Sequence, residues 1–312
     1  MSDPEATTQW THLHSASARN PFFGEVQHRL LDDGTRDVKL IIQPDPELGF
    51  ELSRAALAID GSKSMMQPFA AHLPPMLRKS KNAIHPVVQS LAIYLAENGK
   101  GEVALAYWAC GDDGSDIEPI GIMSKDDVAA HNFGGPSSWG GGTQMTPITR
   151  YFWEQVFADT TSPGVAVIVT DGAWSDEDHI QLQALTAEIC AAVEAGERQL
   201  MKLVVVGLRL DSNANDLDNI QARFTSLDDF NTGTNVDIWD HKWLDEMADI
   251  SEIFVEMVQD WPLGVGGYVE VDGAKVLETD EFLFGIQFQM PASASSFKLH
   301  INDVGDYEQA LA

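Results

Sequence analysis

Basic residues are scarce in this sequence. Its 312 residues include 19 Lys and Arg against 48 Asp and Glu, a formal net charge of −29. A surface so acidic repels nucleic acid and anionic lipid, which removes both as expected partners. It attracts cations and basic protein surfaces, or it serves only as a solvated acidic coat, as in a salt-tolerant organism. Cysteine is nearly absent. Cys110 ends an apolar run and Cys190 lies in an Ala-rich one, so two buried free thiols are expected rather than a disulfide framework. No apolar stretch approaches the roughly 20 residues of a membrane-spanning helix. The Met1–Trp10 segment is polar and acidic, unlike a signal peptide. The Asn-x-Ser/Thr acceptor pattern does not occur. A cytoplasmic protein is the expectation. Hydrophobic residues still make up 44% of the chain, enough for a folded core.

What is present is organised around Ala55-Ala56-Leu57-Ala58-Ile59-Asp60-Gly61-Ser62-Lys63-Ser64-Met65. The short apolar run reads as a strand buried on both faces. It stops in a carboxylate, a glycine that permits a tight turn, and two hydroxyls at alternate positions. One carboxylate and two hydroxyls form a hard-oxygen donor set, suited to Mg²⁺, Mn²⁺ or Ca²⁺ rather than zinc. A plain capped turn, with Ser62 or Ser64 as helix N-cap, uses the same residues.

Strands and helices then alternate. Helices are expected over Ser80 to Asn98, Lys125 to Asn132, Pro147 to Phe157, Asp176 to Ala195, Asp216 to Phe224 and His241 to Gln259. Strands are expected at Glu102 to Cys110, Ile117 to Ile122 (an antiparallel edge), Val165 to Thr170, Lys202 to Gly207 and Val236 to Trp239. This alternation predicts an α/β fold, a doubly wound, mostly parallel sheet with helices on both faces. The pattern changes at Trp261-Pro262. Val265 to Val271 and Ala274 to Leu277 flank Asp272-Gly273 as a hairpin, and Phe282 to Met290 and Phe297 to Ile301 alternate like half-buried strands. Such a tail is too short for a core of its own. It is expected to pair with the strand at Asp37 to Gln43 as a small antiparallel β-sandwich of N- and C-terminal segments. The expected domains are 1–49 (an arm), 50–260 (the α/β domain) and 261–312 (the β tail).

Three strand-end stretches meet in this scheme: Asp60-Gly61-Ser62-Lys63-Ser64, Gly140-Gly141-Gly142-Thr143 and Thr170-Asp171-Gly172. In the strand order 3-2-1-4-5-6, the first and fourth strands flank the crevice where the winding reverses. The spacing Asp-x-Ser-x-Ser, then Gly-Gly-Thr, then Thr-Asp-Gly resembles the von Willebrand factor A (vWA) domain with its metal-ion-dependent adhesion site (MIDAS), over about residues 50 to 260. The resemblance implies a divalent cation, Mg²⁺ foremost, held by Asp60, Ser62, Ser64, Thr143 and Asp171, with the two aspartates often acting through water. It also implies a non-enzymatic, metal-dependent protein-binding module whose partner presents an Asp or Glu carboxylate. Bacterial intracellular members point to an adaptor for a MoxR-type or chelatase AAA+ ATPase, or to a stress-response assembly such as those of tellurium resistance.

Other readings stay open. A Mg²⁺-dependent phosphoryl-transfer enzyme would use Asp60 as nucleophile, but Ser62 stands where the haloacid-dehalogenase pattern has its second aspartate, and no Walker-type loop occurs. A structural protein with a vestigial metal site would bind through its acidic surface. Lys63 is read as solvent-facing. Trp139 and Trp174 are read either as contact anchors beside the site or as packing residues. Asp176, Glu177 and Asp178 are read as acids favouring a helix N-terminus. His72, His85, His131 and His179 show no metal-ligand spacing.

Overall fold

The computed structural model describes residues 10–13, 19–43, 54–159, 161–209, 214–247, 250, 253, 258–259 and 261–311. The chain divides into two compact units, Met1–Phe50 with Ser251–Ala312, and Glu51–Ile250.

The first unit begins with β1 (Thr11–His12), β2 (Phe23–Leu30) and β3 (Thr35–Ile42). The second unit contains β4 (Arg54–Asp60), α1 (Pro75–Lys81), α2 (Ile84–Asn98), β5 (Glu102–Cys110), β6 (Asp116–Ser124), α3 (Lys125–Ala130), α4 (Met145–Tyr151), β7 (Gly164–Thr170), α5 (Asp176–Glu194), β8 (Met201–Gly207), α6 (Ala214–Asp228) and β9 (Trp239–Trp243). The first unit ends with β10 (Gly267–Val271), β11 (Ala274–Thr279), β12 (Gly285–Pro291), β13 (Ser296–Ile301) and β14 (Gly305–Ala310).

In the second unit six strands form one sheet in the order β6-β5-β4-β7-β8-β9. All pairs are parallel except β5 with β6. Every residue of β7 and β8 is buried, as a sheet covered on both faces requires. Alternation along β4 divides the packing. Ala56 and Ala58 join a cluster with Ile148, Phe152, Leu182, Ile189 and Phe224, contributed by α4, α5, α6 and the π-turn after α4. α2 buries Val88, Leu91 and Leu95 and packs against β4 and β5. Each such buried aliphatic contributes about 1.5–3 kcal/mol. The unit is an α/β fold.

The expected helix over Ser80 to Asn98 is broken. Asn82 and Ala83 separate α1 from α2, because the Asn82 Oδ1 accepts from the backbone N–H groups of Ile84 and His85 and so starts a new helix. The expected Pro147 to Phe157 helix is α4 followed by a π-turn at Phe152–Val156. The last central strand lies at Trp239–Trp243 instead of Val236 to Trp239. Residues His241 to Trp243 are therefore strand, and Leu244–Glu246 is a 3₁₀ turn, where helix was expected. Asp240 enters the strand because it meets the buried Lys202. Most of the remaining expected helix, 248–249, 251–252 and 254–257, lies outside the described residues.

The first unit holds two four-stranded antiparallel sheets, β1-β2-β3-β12 and β11-β10-β13-β14. The tail does pair with the N-terminal strand, with β3 and β12 aligned from Ile41–Gly285 to Thr35–Pro291. The Phe297 ring of β13 lies 5.1 Å from Phe288 of β12 and 5.9 Å from Phe23 of β2. Asp272 and Gly273 both take positive φ, +50° and +80°, as a tight Asp-Gly hairpin turn demands. Among the described residues no helix is long and apolar enough to cross a membrane.

Candidate metal centre

Asp60 and Thr170 end adjacent parallel strands, β4 and β7, at the point where the strand order reverses. The Asp60 side chain is fully buried and accepts two hydrogen bonds. Its Oδ1 takes the Ser62 N–H at 2.7 Å, and its Oδ2 takes the Thr170 hydroxyl at 2.6 Å. The first bond folds the chain back immediately after the strand, so Ser62 turns into the 3₁₀ helix Lys63–Met66. The Ser62 and Ser64 hydroxyls then lie 2.9 Å apart, and Ser64 donates to Asp171 Oδ1 at 2.8 Å. Neither serine hydroxyl caps the 3₁₀ helix, and Ser62 makes no side-chain cap bond at all.

The electrostatics of the cluster are those of two carboxylates drawn away from water. Burial, and then the charge of Asp171, push the Asp60 carboxyl up to about 6, against the pull of the Thr170 and Ser62 hydrogen bonds. Burial also raises Asp171, opposed by the Ser64 hydrogen bond. Five oxygen-bearing side chains, Asp60, Ser62, Ser64, Thr170 and Asp171, converge without a thiolate or imidazole among them. A divalent hard cation fits this donor set, and its charge would offset the unfavourable ionisation of both acids.

Four of the five residues read from the sequence, Asp60, Ser62, Ser64 and Asp171, are thus in one hydrogen-bonded set. Thr143 is not. It is half-buried in the loop before α4, and among the described residues no hydrogen bond joins it to the other four. Its loop is nonetheless fastened to theirs. Gly140 N–H donates to Gly61 O at 2.8 Å, and Lys63 N–H donates to Gly140 O at 3.0 Å. The approach is so close that a Cβ on Gly140 would lie 1.7 Å from Ala109 O, which only glycine avoids.

Two contributing residues are named in the sequence reading without the roles they play. Thr170, the first residue of the Thr170-Asp171-Gly172 stretch, is the hydroxyl partner of Asp60. Asp178 is read as an acid serving its own helix. It is instead 3% exposed, and its carboxylate accepts from the backbone N–H groups of Met145 (2.6 Å) and Thr146 (3.3 Å) at the start of α4. It thereby fixes the helix that follows the Thr143 loop.

The neighbouring residues settle several readings. Lys63 is exposed. Trp174 is 2% exposed, stacks on Phe224 and donates to His179 Nδ1, so it is a packing residue. Trp139 is half-buried against Phe69. Cys110 and Cys190 are both buried and unbridged. Burial first, with nearby carboxylates adding, drives the Cys110 thiol to about 12 and leaves it unreactive. A separate acidic group, Asp228, Asp237 and Asp240, has carboxylate oxygens within 4.8 Å of one another. The Lys202 ammonium bridges Asp237 and Asp240, and the His241 ring lies 3.0 Å from Asp228 Oδ2, so these acids already have protein partners.

No family model matches the chain, and no curated protein does. Similar solved structures include the PilB minor pilin from Streptococcus sanguinis, at 10% identity and a TM-score of 0.42, covering 80% of this chain and 76% of that one. They also include the SpRpn10 VWA domain, at 11% identity and a TM-score of 0.37, covering 65% of this chain and 94% of that one. An aerotolerance-related membrane protein from Bacteroides fragilis NCTC 9343 is similar at 14% identity and a TM-score of 0.31, over 49% of this chain and 66% of that one. At such scores none of these likenesses bears on function.

Proposed function

We propose that this protein is a non-enzymatic, metal-dependent binding module of the vWA type, with a MIDAS-like site that recognises a carboxylate on a protein partner. The observation that carries the reading is the hydrogen-bonded set Thr170–Asp60–Ser62–Ser64–Asp171 at the reversal point of the sheet. Ser62, Ser64, Asp60 and Asp171 would hold the cation, Mg²⁺ first and Mn²⁺ or Ca²⁺ as alternatives, with Thr143 completing the set on movement of its loop. Bound there, the cation supplies a positive charge with a position open to a partner carboxylate. The Asp60 carboxylate is buried, and both of its oxygens already accept hydrogen bonds, which speaks against its use as a phosphoryl-accepting nucleophile.

The wider reading is a cytoplasmic adaptor whose partner is a MoxR-type AAA+ ATPase or a stress-response assembly. The two antiparallel sheets of the first unit, joined by Phe23, Phe288 and Phe297, would make one small β-sandwich. Thermal unfolding of metal-stripped protein, titrated with Mg²⁺, Mn²⁺ and Ca²⁺, tests the metal. A ligand that binds only the folded state raises the midpoint by linkage. A saturable rise is expected in the wild type and not in Asp60→Ala/Thr143→Ala. An equal rise in both would mean that the cations only screen the acidic surface.

A further inference from the structure

The helix α1 stands out from every other element of the second unit. Its described side chains, Met76, Leu77, Arg78, Ser80 and Lys81, are all exposed. Met76 is 91% and Leu77 50% exposed, and they are among the few large apolar side chains the protein leaves in water. A helix of seven residues, roughly 10 Å long, is far too short to persist in water on its own propensity. α1 is held by its ends instead. Pro74 and Pro75 preset the first turn. Arg78 Nε–H donates to Leu73 O at 2.7 Å, and Asn82 closes the last turn through a bond from its N–H to Arg78 O. The result is a fixed peg that presents its side chains outward and buries none of those described.

The charge of the peg is equally unusual. Arg78, Lys79 and Lys81 place three of the chain's 19 Lys and Arg within four positions. The chain carries 48 carboxylates, yet among the described residues none pairs with Arg78 or Lys81. Several other cations are paired within the chain, as at Arg29–Asp37, Lys202–Asp240 and Arg209–Asp245. α1 therefore combines unpaired positive charge with two exposed apolar side chains on a pre-formed scaffold.

We propose that α1 is a docking surface for an acidic, leucine-rich or otherwise apolar segment of a partner protein, which would cover Met76 and Leu77 and pair with Arg78 and Lys81. Apolar anchors flanked by charge complementarity are the usual composition of a helix-in-groove or peptide contact. An anionic bilayer offers the same two chemistries, but a broad surface would face the whole −29 molecule. A narrow segment meets only the ground within a Debye length, about 8 Å, of α1. This inference goes beyond the metal-dependent reading and does not depend on it.

The test is fluorescence anisotropy of a fluorescein-labelled peptide of repeating Glu-Glu-Leu-Leu, with its Gln-Gln-Leu-Leu counterpart as control. Both are titrated with the full chain in EDTA, so that no carboxylate is captured through a metal. The wild type is expected to bind the acidic peptide saturably and the Gln peptide at least roughly tenfold more weakly. Met76→Ser/Leu77→Ser and Arg78→Glu/Lys81→Glu are each expected to weaken the acidic peptide by at least roughly tenfold. These variants alter only exposed side chains, and unchanged circular dichroism and melting would verify their folds. No saturable binding by the wild type would overturn the proposal, as would equal affinity for both peptides or variants that bind as the wild type does. Phosphatidylserine vesicles form the other arm. Binding to vesicles, lost in both variants while the peptide fails, would assign α1 to a lipid surface and overturn the protein partner.

Discussion

Asp60 is held ionisable only by its neighbours, and each of them acts in a known direction. Thr170 donates to the buried carboxylate and accepts from the Gly172 N–H, so Thr170→Val removes the donor to Asp60 together with that acceptor. The loss leaves Asp60 Oδ2 short of a partner, which costs about 1–3 kcal/mol, and more for a charged acceptor. Because that bond favours the ionised form, the variant raises the Asp60 carboxyl beyond its present value of about 6. Thermal melts are expected to show the larger destabilisation near about pH 8 and a smaller one near about pH 5, where Asp60 is protonated. The wild type carries its own signature. Between the usual carboxylate value of 3.8 and about 6, the folded state binds more protons at Asp60 than the unfolded state does. The contribution of Asp60 to stability in metal-free protein is therefore full at low pH and is lost as pH rises through that window. Metal requires the ionised form, so a metal-dependent rise in the midpoint should grow over the same window. A rise of equal size at about pH 5 and pH 8 would contradict it.

Among the elements, α4 depends on a residue far from it in sequence. Gln144 at its N-cap makes no side-chain capping bond, its amide donating to Asp113 O, and the buried Asp178 of α5 satisfies the first N–H groups instead. Asp178→Ala is expected to cost about 1–3 kcal/mol in denaturant unfolding, with Asp178→Asn costing less, because an amide oxygen still accepts. If the two variants match the wild type, the anchoring role is wrong. The same contact marks the limit of what the sequence makes legible. β5, β7 and β8 are readable because both faces are buried and the apolar runs are continuous. Asp60, Ser62, Ser64 and Asp171 are readable because the turn chemistry sits directly after such runs. β2 and β14 are not, since Phe23–Leu30 and Gly305–Ala310 alternate weakly and carry mostly polar residues. The end of β9, His241 to Trp243, is misread as helix because Trp243 falls at helical spacing with later apolar residues, while the Lys202–Asp240 pair that draws the segment into the sheet is a tertiary contact. Thr143 is legible as part of a motif, but its position relative to Asp60 is set by Gly140 and the neighbouring loop, which no local pattern encodes.

For the whole molecule the governing quantity is the charge of −29. Self-repulsion opposes the compact state, and mobile ions screen it. The melting midpoint of metal-free protein should therefore rise steadily with KCl, and it should do so equally in Ser62→Ala/Ser64→Ala, since screening does not need the site. A midpoint that is flat or falls with salt would show that surface repulsion is not limiting. The same acidic coat will collect divalent ions loosely anywhere on the surface, so the specific site must be separated from it by saturation and by mutation.

The most direct measurement is a Mn²⁺ titration followed by the electron paramagnetic resonance signal of the free ion, in enough KCl to screen the surface, with wild type beside Ser62→Ala/Ser64→Ala. The proposed site predicts one saturable, Mg²⁺-displaceable ion per chain in the wild type, and its loss in the variant. Binding that fails to saturate, or that is the same in both proteins, would contradict a metal centre at Asp60, Ser62, Ser64 and Asp171.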